Sequence, residues 1–227
     1  MNAVETLGGR RCALIGAPDA PSVLLQPVDA GELTRTEEEF GHIRRLAPET
    51  PFLLAAFPVG DWNDDLSPWP APPVFGDAAF GGGAARTLDF VERALIPALV
   101  ARCPAAGERR WLLGGYSLAG LFALWAACES GRFAGAAGVS PSVWFPGWLD
   151  YAAAHPLRAG WAYLSLGDRE ERARNPVMAR VGDAVRATHG LWSDRVDCAL
   201  EWNPGNHFRE PELRTAKGFA WLLRSMR

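Results

Sequence analysis

Hydrophobic positions fall along this chain in short apolar runs separated by longer stretches of helical character. From about residue 50 onward the two kinds alternate, which points to βαβ units and a largely parallel sheet. Strands are predicted over Cys12–Ala17, Val23–Val28, Phe52–Phe57, Trp111–Gly114, Ala134–Val139, Trp161–Leu166 and Val196–Trp202. The first two are expected to run antiparallel, because Pro18-Asp19-Ala20-Pro21 between them forms a turn too short for a crossover helix. Helices are predicted over Ala84–Arg102, Leu118–Glu129, Trp148–Ala154, Pro176–Thr188 and Pro211–Met226. From Leu118 to Cys128 the second of these is apolar on every face, so it belongs at the centre of the fold, covered on all sides.

The stretch Asp61–Gly83 breaks the pattern. Pro68, Pro70, Pro72, Pro73 and the run Gly81-Gly82-Gly83 leave neither a helical nor a strand period, and a long ordered loop is expected. Loops of this length inside a domain often bind ligands or act as lids. The rings of Trp62, Trp69, Phe75 and Phe80 are expected either to wall a substrate pocket, Trp69 in particular, or to seal an edge of the core.

Composition narrows the class without naming a chemistry. The 227 residues suit one α/β domain over 1–227, and 22% charged against 48% hydrophobic residues is ordinary for a globular protein. With a net charge of -3 and basic pairs no longer than Arg44-Arg45 and Arg109-Arg110, nothing favours nucleic acid or an anionic membrane. Met1–Arg11 lacks a signal-peptide run and no segment is long and apolar enough to span a bilayer. A cytoplasmic protein with a small-molecule partner and no cofactor is therefore expected; oligomeric state is open. Cys12, Cys103, Cys128 and Cys198 match no zinc or redox spacing and are expected as free thiols.

The chemistry gathers around Gly115-Tyr116-Ser117-Leu118-Ala119, which lies between a predicted strand and the buried helix. A nucleophile elbow needs small residues two before and two after its serine, because the chain reverses there. The other match, Gly138-Val139-Ser140-Pro141-Ser142, fails as an elbow: the residue after the nucleophile must offer its N–H to an oxyanion, and Pro141 has none. Leu118 has one, at the first turn of a helix. Ser117 is thus the candidate nucleophile and Leu118 a candidate oxyanion donor.

In a strand-ordered hydrolase the acid and then the histidine follow the serine. His155 and His189 lie at helix ends, whereas His207 sits in Asn203-Pro204-Gly205-Asn206-His207 just past the last predicted strand, where a loop side chain can lean over the carboxyl edge of the sheet. The preceding strand ends in Gly167-Asp168-Arg169-Glu170-Glu171. From the residues alone both Glu170, which has the reach, and Asp168, which can instead brace the turn, stand as the acid. Other readings fail on detail: Leu66 and Pro72 occupy the Gly and Glu positions of a calcium loop beginning at Asp61, and Leu121-Phe122 replace the Lys and Ser/Thr of a phosphate loop.

These residues resemble the esterase branch of the α/β-hydrolases, the group that includes enterochelin esterases, feruloyl esterases and S-formylglutathione hydrolases. The likeness extends over most of the chain after residue 50 and rests on Thr87–Pro97, on Gly-Gly-Tyr-Ser-Leu-Ala-Gly at 114 to 120, and on Phe133-Ala134-Gly135 leading to Ser140-Pro141-Ser142. The resemblance implies an α/β-hydrolase fold, a serine esterase acting on a carboxylic ester or thioester, and an acid three residues beyond a strand-ending glycine, which is Glu170. It also implies a second oxyanion N–H from the loop after Phe52–Phe57, from Asp61 or Trp62. Ala119 in the elbow and Glu in place of the commoner Asp depart from the family pattern. An acyltransferase with the same three residues, or a non-catalytic binding protein that kept the fold, are the rival expectations.

Overall fold

The structure is a computed structural model that describes residues 1–74, 76–103 and 108–226. Its strands are β1 (Asn2–Leu7), β2 (Arg10–Gly16), β3 (Ser22–Asp29), β4 (Phe52–Val59), β5 (Pro70–Ala71), β6 (Phe80–Gly81), β7 (Arg110–Tyr116), β8 (Phe133–Val139), β9 (Trp161–Gly167) and β10 (Asp197–Asn203). Eight of them form one sheet in the order β1-β2-β4-β3-β7-β8-β9-β10, while β5 and β6 pair as a two-residue ribbon. All neighbours from β4 to β10 in that order are parallel; β1 and β2 are antiparallel additions at one edge.

The helices are α1 (Thr36–Leu46), α2 (Trp62–Asp65), α3 (Ala84–Phe90), α4 (Ile96–Arg102), α5 (Leu118–Glu129), α6 (Trp148–Ala154), α7 (Val181–Trp192) and α8 (Pro211–Ser225). Residues of α1 and α8 join the core on one face of the sheet, and those of α3 to α7 join the core on the other. From Leu118 to Cys128 every residue of α5 is buried, as its uniformly apolar sequence requires. The predicted helix Ala84–Arg102 is helical throughout but passes through a π-helical turn at Val91–Leu95, just before Pro97, which has no N–H to give to the carbonyl four residues back.

Cys12–Ala17 and Val23–Val28 run antiparallel, as expected, with β4 inserted between them, antiparallel to β2 and parallel to β3. Two expectations need correction. The helix predicted from Pro176 begins at Val181, after Asn175 Oδ1 accepts from the N–H groups of Val177 and Met178 and a 3₁₀ turn follows. Within Asp61–Gly83, the short α2 and the β5–β6 ribbon interrupt the loop; Phe75 lies outside the described residues. All four cysteines are free thiols.

The strand order positions the site. The chain fills the sheet leftward from β3 to β4, then jumps over β3 and proceeds rightward from β7 to β10. At such a reversal the connections leave the carboxyl ends of adjacent strands in opposite directions and open a crevice between them. That reversal lies between β3 and β7, and Ser117 is the residue immediately after β7.

Candidate active site

Ser117 alone joins β7 to α5, and it has φ 59° and ψ -121°. A non-glycine residue held there stores about 1–3 kcal/mol of strain. Its surroundings enforce it: Ser117 N–H donates to Val139 O at 3.0 Å, and its own carbonyl accepts from Ser142 N–H at 3.0 Å. A Cβ on Gly115 would stand 2.6 Å from Ala119 Cβ, so position 115 must be glycine, and its empty space is what admits alanine at 119.

His207 follows β10 in a loop tied down at several points. Asp168 Oδ1 accepts from Gly205 N–H at 2.7 Å, Arg169 N–H donates to Gly205 O at 3.1 Å, and the Tyr116 hydroxyl donates to the His207 carbonyl at 2.6 Å. These restraints bring His207 Nε2 to 3.1 Å from Ser117 Oγ and His207 Nδ1 to 2.7 Å from Glu170 Oε2. Asp168 braces the histidine loop rather than touching the ring. His155 and His189 lie against the carbonyls of Tyr151 and Cys198, away from Ser117.

Glu170 is buried and its other oxygen is shared. Oε1 accepts from Ser140 Oγ at 2.7 Å, from Gly167 N–H at 2.8 Å and from Arg214 Nη1 at 3.3 Å. Burial alone pushes this carboxyl up, but the hydrogen bonds from His207, Ser140 and Gly167 and the charge of His207 outweigh it and hold it below its ordinary range. An ionised carboxylate facing Nδ1 keeps the proton on that nitrogen and leaves Nε2 free to accept one. Arg214, buried in α8, also reaches the Tyr116 hydroxyl at 3.3 Å and Pro204 O at 2.9 Å, linking acid, histidine loop and elbow.

The proposed oxyanion donors separate. Asp61 N–H is occupied by Asp65 Oδ2 at 3.1 Å, while its side chain caps α2 through the N–H groups of Asn63 and Asp64. Trp62 and Leu118 each stand at the first position of a helix, where the N–H has no intrahelical acceptor, and neither has a partner among the described residues. Both donors therefore remain open beside Ser117.

Two clefts meet there. One, of about 510 Å³, is lined by Leu118, Phe80, Trp144, Met178 and Ser142. The other, of about 330 Å³, is lined by Gln26, Thr36, Glu39, Glu32, Arg35 and Glu212. Trp62, Ser117, His207 and Phe208 border both. Trp69 lines neither: its indole N–H donates to Pro146 O at 2.8 Å and its ring packs on Phe145 and Tyr151, so the expectation that it walls the substrate pocket fails on geometry. Trp144, and not Trp69, lines the larger cleft.

Sequence reasoning did not single out Arg214, Tyr116 or the polar residues of α1, whereas Trp144, like Trp62, Trp69 and Trp148, stands in a stretch loop-like in sequence, where a large ring can line a cavity or fill a core. Ser140, excluded as a nucleophile, stands beside the acid instead. The excluded motif could have signalled this, since the strand next to the elbow ends there. Among the described residues no three His, Cys, Asp or Glu side chains are grouped to hold a metal ion, and no helix is long and apolar enough to cross a membrane.

The sequence profile of the family described as Putative esterase matches residues 29–195. No curated protein matches the chain in sequence. Among solved structures, an IroE-like serine hydrolase from Shewanella oneidensis is similar at a TM-score of 0.77, with 16% identity over 100% of this chain and 81% of its own. The siderophore hydrolase EstA from Aspergillus nidulans gives 0.69, with 19% identity over 95% of this chain and 90% of its own. The enterobactin esterase FES from Shigella flexneri gives 0.65, with 19% identity over 96% of this chain and 56% of its own. At these identities the structures speak for the α/β-hydrolase fold, and the profile speaks for the family: the chain belongs to the Putative esterase family and is a carboxylic ester hydrolase.

Proposed function

We propose that the protein hydrolyses a small-molecule carboxylic ester or thioester through an acyl-enzyme on Ser117, with His207 as base and Glu170 as the carboxylate that orients it. As Ser117 Oγ bonds to the carbonyl carbon, its proton passes to His207 Nε2, and the charge that develops on the carbonyl oxygen is met by the N–H groups of Leu118 and Trp62. Collapse breaks the ester bond, and the leaving alcohol or thiol takes the proton from Nε2. Water then repeats the sequence on the acyl-enzyme, releasing the acid and restoring Ser117.

The observation that carries this reading is the continuous contact series from Ser117 Oγ through the two ring nitrogens to Glu170, 3.1 Å and then 2.7 Å, with the serine on a strained backbone beside two open N–H groups. The larger cleft, walled by Phe80 and Trp144, suits an alkyl or aryl group of the substrate. The siderophore and enterobactin esters named for the structural neighbours are sensible members of a first substrate panel.

A fluorophosphonate probe followed by peptide mass spectrometry tests it. The expected result is a single adduct on Ser117, absent from Ser117→Ala. An adduct on another residue, or near wild-type ester turnover in Ser117→Ala, would overturn the reading.

A further inference from the structure

The motif Ser140-Pro141-Ser142, which fails as an elbow, meets the reacting groups at both of its ends. Ser140 Oγ donates to the acid, Glu170 Oε1, at 2.7 Å, and Ser142 Oγ stands 3.4 Å from the nucleophile, Ser117 Oγ. Ser140 has φ 42°, a left-handed backbone held by its N–H on Ser165 O at 2.9 Å, and Pro141 fixes the next φ. Ser142 N–H donates to Ser117 O at 3.0 Å, and the Ser142 carbonyl accepts from Phe145 N–H at 3.0 Å. Gly120 makes room for this turn: a Cβ there would stand 3.1 Å from Val139 N and 3.3 Å from Pro141 Cα. Ser142 is 3% exposed, so its hydroxyl is fixed against Ser117 from several sides.

The direction of that contact follows from the protons available. The Glu170 carboxylate keeps a proton on His207 Nδ1, so His207 Nε2 accepts the Ser117 proton across 3.1 Å. Ser117 has no second proton to give. The donor between the two serines is therefore the Ser142 hydroxyl, whose one hydrogen-bond partner among the described residues is Ser117 Oγ. That oxygen changes character along the reaction. As a hydroxyl sharing its proton with His207 it accepts well, and as the ester oxygen of an acyl-enzyme, its lone pairs drawn into the carbonyl, it accepts poorly. As the leaving oxygen in deacylation it gathers charge and accepts most strongly. An interaction accelerates only the step in which it strengthens between ground state and transition state, and for Ser142 that step is deacylation.

We infer that Ser142 is a catalytic residue of the second half-reaction, donating a hydrogen bond to Ser117 Oγ as that oxygen departs from the acyl group. The inference rests on Ser117 as the nucleophile. When the tetrahedral intermediate formed by water collapses, the bond between the acyl carbon and Ser117 Oγ breaks and its electron pair goes to Oγ. Oγ takes from His207 Nε2 the proton that water gave up on attack, while the Ser142 proton stays on Ser142 throughout. In acylation the same hydrogen bond is present before attack and relaxes as the ester forms, so its loss does not slow that step. The 3.4 Å separation suits a bond that tightens only as charge develops.

4-Nitrophenyl butyrate separates the two steps. Release of 4-nitrophenolate in the first turnover reads acylation, and decay of the butyryl adduct on Ser117, quenched and weighed by intact mass spectrometry, reads deacylation. Ser142→Ala is expected to slow deacylation by about tenfold and acylation by no more than about twofold. Once deacylation limits turnover, kcat and KM fall together while kcat/KM holds, a pattern that a displaced Ser117 would not produce. Ser142→Cys, close in size but a weak donor, should fall between Ser142→Ala and the wild type, and it decides the matter if Ser142→Ala does not fold. Equal slowing of both steps in a folded variant, or an unchanged deacylation rate, would overturn the role of Ser142 and leave Ser117 untouched. No butyryl adduct on Ser117 in either the wild type or the variant would overturn the hydrolytic reading and this inference with it.

Discussion

The two clefts that meet at Ser117 are made of opposite material. In the larger one Phe80 lies 6.2 Å from Trp144 and 5.1 Å from Phe145, centroid to centroid, so the wall is a set of rings already satisfied by one another. The smaller one is lined by the polar side chains Gln26, Thr36 and Glu39, whose Oε1, Oγ1 and Oε1 atoms are buried with no partner among the described residues. An apolar wall accepts any group of suitable shape, gaining from area alone, and discriminates by roughly 1–3 kcal/mol per methylene. A polar wall loses its water when a ligand covers it and regains that cost only from groups that can hydrogen-bond to it, so it discriminates by chemical kind. Selectivity of kind is therefore expected from the polar wall and selectivity of size from the aromatic one, with the reacting groups common to both.

The largest expected effect removes what the clefts share. Ser117→Ala and His207→Ala should each lower kcat by about 10⁴-fold or more on every ester, whichever cleft its halves occupy, and the double variant should be little worse than either single one. Steady-state rates across an ester panel check this; a loss confined to one group of esters would mean that the clefts do not share a centre.

Next comes the acid. Glu170→Gln should cut kcat by about 10²–10⁴-fold, because Nδ1–H loses its carboxylate and the ring its orientation. Asp168→Asn should act less on kcat and more on the order of the His207 loop, which Asp168 holds through Gly205 N–H. The opposite ranking would make the 2.7 Å contact between Glu170 and His207 incidental.

Glu170 and Glu39, one at the centre and one in the polar wall, also titrate in opposite senses. Glu170 has a folded value below its ordinary 4.5, so its contribution to stability is present above 4.5 and is lost as the pH falls through the folded value. For Glu39 the folded value is about 8 against an ordinary 4.5. Between those values the folded protein keeps a proton that the unfolded chain has released, so stability falls as the pH rises, by up to about 1.4 kcal/mol per pH unit from this one group. Urea midpoints measured from pH 5 to pH 8 should decline in the wild type and flatten in Glu39→Gln. Equal slopes in the two proteins would show that Glu39 is ionised throughout.

The same contrast explains what could be read from the sequence. The candidate elbow and His207 could be located because each sits at a strand end in a fixed order, and order along the chain is a sequence property; order alone left Glu170 and Asp168 both standing, and only the family resemblance pointed to Glu170. The buried helix α5 was legible because every residue from Leu118 to Cys128 is apolar. Helix α1 was not. Its inward face contains Thr36 and Glu39 together with Phe40 and Ile43, so polar residues interrupt the period that would have revealed it. The polar wall thus hid the helix that carries it. Arg214 was illegible for another reason: it reaches Glu170 from α8, 44 residues later in the chain, and nothing local distinguishes it from the surface arginines. Strand β1 pairs with β2 through the Gly8-Gly9 turn, but its alternation of exposed and half-buried residues is too polar to stand out.

The smallest effect concerns the aromatic wall and divides Trp144 from Trp69. Both rings are half-buried and both contact Phe145, at 6.4 Å for Trp144 and 5.8 Å for Trp69, yet only Trp144 borders the cleft. Trp69 faces Tyr151 and ties its indole N–H to Pro146 O, so its removal opens space behind the wall rather than in it. Trp144→Ala should shift the preference between short and bulky esters by about tenfold, equivalent to about 1.4 kcal/mol, because the substituent loses a surface to touch. Trp69→Ala should lower the unfolding temperature and leave that preference close to the wild-type value. The two variants compared by kcat/KM ratios and by thermal unfolding decide which ring substrate meets. If Trp69→Ala shifted the size preference as far as Trp144→Ala, the aromatic wall would not be rigid: losing the support behind it would have moved the surface in front.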